Sequence, residues 1–194
     1  MRQAEIERKT KETEIRLRLA LDGTGQAEVA TGIPFFEHML ALLARHSLVD
    51  LQVQAKGDVE VDFHHLVEDV GICLGRALAQ ALGDKRGIAR YGWAVVPMDE
   101  SLVLAAVDLS GRAYLGYEMG LGKRSVGAFQ AELVEEFFRA LATSSAATVH
   151  LRALAGSNTH HLIEAAYKAF ARALKQAVAL DPRVSDIPST KGTL

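Results

Sequence analysis

The sequence predicts an α+β fold made of two copies of one half-domain. Two observations carry the prediction. First, His64-His65-Leu66-Val67-Glu68 recurs as His160-His161-Leu162-Ile163-Glu164, 96 residues later in a chain of 194. With the copies superposed, Arg76 falls on Arg172, Ala77 on Ala173, Leu78 on Leu174, Gln80 on Gln176 and Ala81 on Ala177, so identity extends past the motif. Second, each half reads as strands, helix, strand, helix. That order buries one face of a sheet under two helices.

Each element has a local reason. Glu14 to Leu21 alternates polar and apolar, the period of a half-buried strand. Asp22-Gly23-Thr24-Gly25 is turn chemistry, and a short strand follows over Ala27 to Thr31. Pro34 suits the first turn of a helix; Phe35, Met39, Leu42 and Leu43 keep helical spacing to about His46. Leu51 to Ala55 alternates again, and Lys56-Gly57-Asp58 turns the chain. The His64 helix runs to Leu82 and stops at Gly83. In the second half, Leu102 to Asp108 and Arg112 to Glu118 read as two strands joined at Ser110-Gly111. Gln130 to Ala142 reads as a helix, Val149 to Ala153 as a strand, and His160 to Leu180 as the last helix. The small residues beside Leu74, Leu78, Phe170 and Leu174 would let helices of the two halves pack closely. Residues 1–92 make the first half-repeat and 93–180 the second, within one compact unit. Residues 181–194, with Pro182, Pro188 and Gly192, read as a mobile tail, or as a flap over a ligand with Lys191 as its reason.

Bulk properties exclude several classes. A formal net charge of −2 leaves no basic stripe for nucleic acid. A single cysteine, Cys73, excludes an intramolecular disulfide, and its apolar setting reads as a buried small hydrophobe. No run approaches the roughly 18 apolar residues of a membrane span. The charged N-terminus has no apolar signal core. The expectation is a cytoplasmic protein.

The doubled motif carries the chemistry. Residues i and i+4 share a helix face, so His64 and Glu68 can chelate one ion, as can His160 and Glu164. His65 and His161 project about 100° away and cannot easily join the same chelate. If they bind metal too, two ions are implied, each with ligands from both repeats or from another subunit. Imidazole and carboxylate donors suit Mn, Fe, Co, Ni or Zn. Further ligands are sought by symmetry: His38 precedes the first pair by 26 residues, and Glu136 precedes the second by 24.

With these residues in hand, the chain resembles the imidazoleglycerol-phosphate dehydratases of histidine biosynthesis. The resemblance rests on Thr10 to Thr13, Thr31 to Leu40, Asp62 to Asp69, Leu82 to Ile88, Pro97 to Glu100, the second HHxxE helix and Pro188 to Gly192. It covers nearly the whole chain. It implies helices packed between two mostly antiparallel four-stranded sheets, a fold like ribosomal protein S5 domain 2. It also implies a homo-oligomer, a 24-subunit shell built from trimers whose assembly depends on the metals, with active sites at subunit interfaces.

The same resemblance implies two Mn2+ per active site. One takes His38, His65, His160 and Glu164; the other takes His64, Glu68, Glu136 and His161. Glu136 departs from the family, which often has histidine there; Phe63 and Pro34 are milder departures. The implied reaction removes water from imidazole glycerol phosphate to give imidazole acetol phosphate, with the ring held as imidazolate between the metals. Glu12 would contact substrate and is a candidate for one proton transfer, with Glu68 or Glu164 for the other. Arg90, Arg112, Lys168 and Lys191 would hold the phosphate with Ser189, Thr190 and Gly192 of the tail, and His46 nearby. Two alternatives stay open: a two-metal hydrolase of phosphate esters and a non-catalytic metal-scaffolded shell.

Overall fold

A computed structural model describes residues 2–194 of the chain. The elements run β1 (Gln3–Lys9), β2 (Thr13–Ala20), β3 (Ala27–Ala30), α1 (Pro34–Ser47), β4 (Asp50–Gly57), α2 (His64–Leu82), β5 (Tyr91–Met98) and β6 (Ser101–Asp108). They continue with β7 (Tyr114–Glu118), β8 (Ser125–Val126), β9 (Phe129–Gln130), α3 (Leu133–Ser145), β10 (Thr148–Ala155) and α4 (Thr159–Val178). Two four-stranded sheets have the orders β1-β2-β4-β3 and β5-β6-β10-β7, the same topology twice. In each, the first three strands pair antiparallel and the last pair is parallel.

The four helices lie between the sheets. α2 packs on β1, β2 and β4, while α4 packs on β5, β6 and β10. The shorter helices cross over: α1 leans on α4, and α3 leans on α2. Small residues make the close approach possible. A Cβ on Gly71 would stand 2.7 Å from the Phe137 carbonyl oxygen, and one on Gly75 2.6 Å from that of Leu141. The crossing gives each layer of the core residues from both repeats, so the halves share one apolar interior. Cys73 is buried there, and burial pushes its thiol up to about 11.

Three details tie the repeats residue by residue. Cross-strand partners Glu5 and Arg18 correspond in register to Trp93 and Ala106. Ser47 donates to the Leu43 carbonyl just as Ser145 donates to that of Leu141. The next residues, Leu48 and Ala146, are both left-handed, at φ 63° and 51°. The helix ends therefore align at a spacing of 98, which sets Glu136 on His38.

The outer faces of the two sheets differ sharply. On the first, the outward residues of β1 and β2 are Gln3, Glu5, Glu7, Lys9, Glu14, Arg16, Arg18 and Ala20, laced by ion pairs such as Arg16 with Glu5 and Glu7. At the matching positions of the second stand Tyr91, Trp93, Val95, Pro97, Leu102, Leu104, Ala106 and Asp108. Trp93 is 66% exposed and Tyr91 58%.

Some expectations need correction. β1 and β5 were not expected. Arg8 faces inward on β1 and breaks the apolar alternation, while β5 is apolar on both faces and shows no alternation. The strands expected at 102–108 and 112–118 do not pair with each other. β7 begins at Tyr114 and crosses to lie parallel beside β10. α3 starts at Leu133 rather than Gln130, because Gln130 pairs in the β8–β9 hairpin. β5 begins at Tyr91, so a division at 92/93 falls inside a strand. The tail is tied down: Asp181 N–H donates to the Gly87 carbonyl, Gly87 N–H to that of Asp186, and Arg86 pairs with Asp186 at 2.7 Å.

Candidate active site

The two HHxxE segments form the first turns of α2 and α4, and equivalent residues start both helices. Asp62 accepts the His64 N–H at 2.8 Å. Asn158, 96 residues on, accepts the N–H groups of His160 and His161 at 2.9 and 3.3 Å. These bonds satisfy helix-end donors and fix where the ligand residues begin. α1 starts at Pro34, and Glu37 reaches back to accept the Thr31 and Gly32 N–H groups, so the chain entering the helix is fixed near His38.

The cross-packing of α1 on α4 brings His38 to the second repeat's motif. His38, His160 and Glu164 form the one three-residue group, among the described residues, whose donor atoms all lie within 4.8 Å. Glu164 Oε2 stands 3.1 Å from His160 Nε2 and 3.5 Å from His38 Nε2. Its other oxygen meets Lys168 Nζ at 2.6 Å. Burial pushes the Glu164 carboxyl up, but bonds from Lys168 and His160 outweigh it and hold the group below its usual value. Phe35 sets an edge against the His160 ring, centroids 5.2 Å apart, and itself rests on Phe129 of the hairpin. His46 follows on α1. Burial, then Lys168 and Arg172, push its imidazole below the usual histidine value.

The pseudo-symmetric set is more open. His64 Nε2 lies 3.7 Å from Glu68 Oε2. Glu136 sits on α3, which packs on α2, but these three do not close into a cluster. The second histidines turn away, as a step of about 100° around a helix requires. His65 Nδ1 meets Asp58 at 3.0 Å and Glu12 at 3.9 Å, and the bond to Asp58 raises its basicity. His161 Nδ1 meets Glu100 at 2.7 Å, which raises the imidazole and lowers the carboxyl. Neither expected four-ligand set is therefore assembled within one chain. His65 does not join His38, His160 and Glu164, and His161 does not join His64, Glu68 and Glu136. Sequence reasoning also missed Glu100 and Asp58. Repeat symmetry signals the first: Glu12 directly precedes β2 as Glu100 directly precedes β6.

The expected phosphate residues lie elsewhere. Arg90 N–H donates to the Ala177 carbonyl at the far end of α4 from His160. Seventeen residues of helix at about 1.5 Å each put the two some 25 Å apart. There Arg90 grips Asp108 at 2.8 Å and the Pro188 carbonyl at 2.9 Å, with Arg112 3.9 Å from Asp108. Ser189, Thr190, Lys191 and Gly192 follow Pro188 in the tail. Lys168 alone of the four expected phosphate cations is at the metal end, bonded to Glu164. The chain thus has a metal pole and a cationic pole, and its own tail closes over the cationic one.

A family model described as imidazoleglycerol-phosphate dehydratase matches residues 31–174. The chain belongs to that family. Its relatives include the enzyme of that name from Moorella thermoacetica, 60% identical over 100% of this chain and 98% of that protein. Another, from Geobacter metallireducens, is 55% identical over 100% and 99%. The crystal structure of the Staphylococcus aureus enzyme superposes at a TM-score of 0.84, with 40% identity over 92% of this chain and 99% of that one. That of the Pyrococcus furiosus enzyme, in complex with (S)-C348, also gives 0.84, with 36% identity over 97% and 100%. Family membership makes this chain a hydro-lyase of histidine biosynthesis. Two four-stranded sheets around four helices are the expected fold. No helix among the described residues is long and apolar enough to cross a membrane.

Proposed function

We propose that this chain dehydrates imidazole glycerol phosphate to imidazole acetol phosphate in the cytoplasm, at a two-manganese site shared between copies. The observation that carries the sharing is the separation of the poles. An imidazole ring and a phosphate joined by three carbons cannot bridge some 25 Å between His160 and Arg90 on one chain. A second copy must bring its cationic pole to the first copy's metal pole.

The donor set fits the ion. Two imidazoles and a carboxylate within 4.8 Å are the nitrogen and oxygen ligands that Mn2+ accepts. Bound there, manganese supplies a Lewis acid that favours loss of a proton beside the imidazole ring. His38, His160 and Glu164 would hold one ion. His64, Glu68 and Glu136 are the matching donors for the other, with His65 and His161 free to complete sites once released from Asp58 and Glu100. Glu136 keeps an oxygen donor where His38 offers nitrogen, so the second site carries one more negative charge. Lys168 fixes the free oxygen of Glu164 and leaves one oxygen for metal.

Glu12 sits on the exposed β1–β2 turn, beside His65 of the first repeat's motif. That position suits a carboxylate that takes or returns the carbon-bound proton. Arg90, Arg112 and Lys191 supply the positive charge for phosphate, with Ser189, Thr190 and the Gly192 turn closing over it. Arg90 and Arg112, which share the one carboxylate of Asp108, together with Lys191 of the tail, are more positive charge than a bare metal scaffold needs. The mostly histidine ligand set favours it over a hydrolase.

Assembly is read from the second sheet. Trp93, Val95 and Leu104 stand where the first sheet has Glu5, Glu7 and Arg16. One fold in one chain thus has a solvated face and an apolar face. The occupant proposed for the apolar face is another copy. Its charged rim is already neutralised, with Arg152 on Glu118 at 3.1 Å and Arg90 on Asp108, so like faces meet without repulsion. It is continuous with the cationic pole through Tyr91, over which Arg90 lies at 4.6 Å. A closed shell of 24 copies is the expected product.

Turnover tests the reading. Manganese-loaded protein incubated with imidazole glycerol phosphate is expected to yield the ketone and no inorganic phosphate. Phosphate without ketone would make the chain a hydrolase, and bound metal without turnover would make it a scaffold.

A further inference from the structure

Glu12 and Glu100 are equivalent by repeat symmetry, yet they are held differently. Glu100 is committed: it takes His161 at 2.7 Å, and its other oxygen accepts the Asn158 and Ser157 N–H groups at 2.9 and 3.3 Å. Among the described residues Glu12 makes no side-chain hydrogen bond, and the charged group within 4 Å of it is His65, at 3.9 Å. Its turn is held from behind instead. Asp69, on α2 and nearly buried, accepts the Thr13 hydroxyl at 2.5 Å on one oxygen and pairs with Arg8 at 2.9 Å on the other. Thr13 passes the restraint on: its amide and that of Glu12 donate to Thr10 Oγ1 at 2.9 and 3.1 Å. Asp69 is one turn beyond His65, on the same face of α2. One helix face therefore carries both the histidine beside Glu12 and the clamp on the turn that presents it.

The second repeat shows what the fold alone needs. At the place of Asp69 stands buried Ala165, and at the place of Arg8 stands Val96. The same strand-on-helix contact is made there with apolar side chains. Burying an ion pair costs desolvation that an apolar pair avoids, and such pairs are often replaceable without loss of stability. The clamp lies where the carboxylate must stay free of other partners. We propose that Asp69, acting through Thr13 and Arg8, is a positioning residue that holds Glu12 beside His65 while leaving its carboxylate unbonded. This rests on Glu12 being the substrate-facing carboxylate.

The test uses the manganese-loaded full-length protein. Thr13→Val removes the hydroxyl at constant shape, Thr13→Ser keeps it, and the pair Arg8→Val with Asp69→Ala copies the second repeat. Thr13→Val and the pair are expected to lower kcat by about 10- to 100-fold, the scale of a misplaced catalytic group. KM, manganese content and particle size should stay near the parent's, and Thr13→Ser should restore most of kcat. Adding Asp69→Ala to Glu12→Gln should lower kcat no further than Glu12→Gln alone, because both act on one group. If Thr13→Val keeps full kcat while Glu12→Gln loses it, the positioning role is overturned and the reading of Glu12 stands. If Glu12→Gln is itself fully active, both fall. Should the apolar pair fail to fold, the valine and serine variants decide alone.

Discussion

Replacing Glu164 by glutamine is expected to lower kcat/KM by at least about 10³-fold, some 4 kcal/mol of transition-state stabilisation. The carboxylate is nearly buried, with His38, His160 and Lys168 converging on it. The amide keeps the volume and removes the only negative charge of the group. Three nitrogen groups would then face a neutral side chain, and a divalent ion brought among them gains no countercharge. Manganese bound per chain should fall from about two to about one, since the His64 and Glu68 set is on another helix pair. Metal analysis with steady-state kinetics reads both numbers. A variant that keeps two ions per chain would remove Glu164 from the ligand set, whatever its activity.

The second large effect is on assembly. Trp93→Glu places a charge at the most exposed of the large side chains on the apolar outer face. The protomer itself should tolerate it, because Glu5 occupies the equivalent position on the first sheet. Changes at such exposed sites typically alter stability by about 0.5 kcal/mol or less. Across an interface the same change desolvates an unpaired carboxylate and removes an aromatic anchor, about 2–4 kcal/mol per contact. Sedimentation velocity should show the large particle replaced by small oligomers, with native secondary structure by circular dichroism and a lower thermal midpoint, because assembly stabilises the folded copies. Activity should fall with particle size, since each site needs a second copy. A variant that sediments like the parent would leave the apolar face without its proposed occupant.

Much of the architecture was legible because it was written twice. His64 to Glu68 and His160 to Glu164 located two helix starts, and the observed helices begin at His64 and Thr159. The alternation of β2 and β4 was readable because one face is buried and the other wet. β5 was not, because its outer face is apolar too, which is the same property that marks it as an interface. β1 was hidden by Arg8, an inward charge whose partner Asp69 lies 61 residues away. The path of β7 to the sheet edge follows from a long-range pairing with β10 that no local pattern encodes.

Within the site, the i,i+4 rule joined His160 to Glu164 and His64 to Glu68. Symmetry brought in His38, and the packing of α1 on α4 carries it there. What sequence could not place was distance. Glu164 and Arg90 were both expected around one substrate, yet opposite ends of α4 hold them. Only the fold reveals that Glu164 and Arg90 of one chain cannot meet around one substrate.

Mixing two inactive variants shows whether one copy's metal pole works with another copy's cationic pole. One carries Glu164→Gln at the metal pole; the other carries Arg112→Ala at the cationic pole. Co-assembled from dissociated subunits, they should form some sites with an intact metal pole from one copy and an intact cationic pole from another. Dehydratase activity far above either variant alone is expected. Mixed particles of confirmed composition that stay as inactive as their parents would contradict it, and would place both poles of each site on one chain.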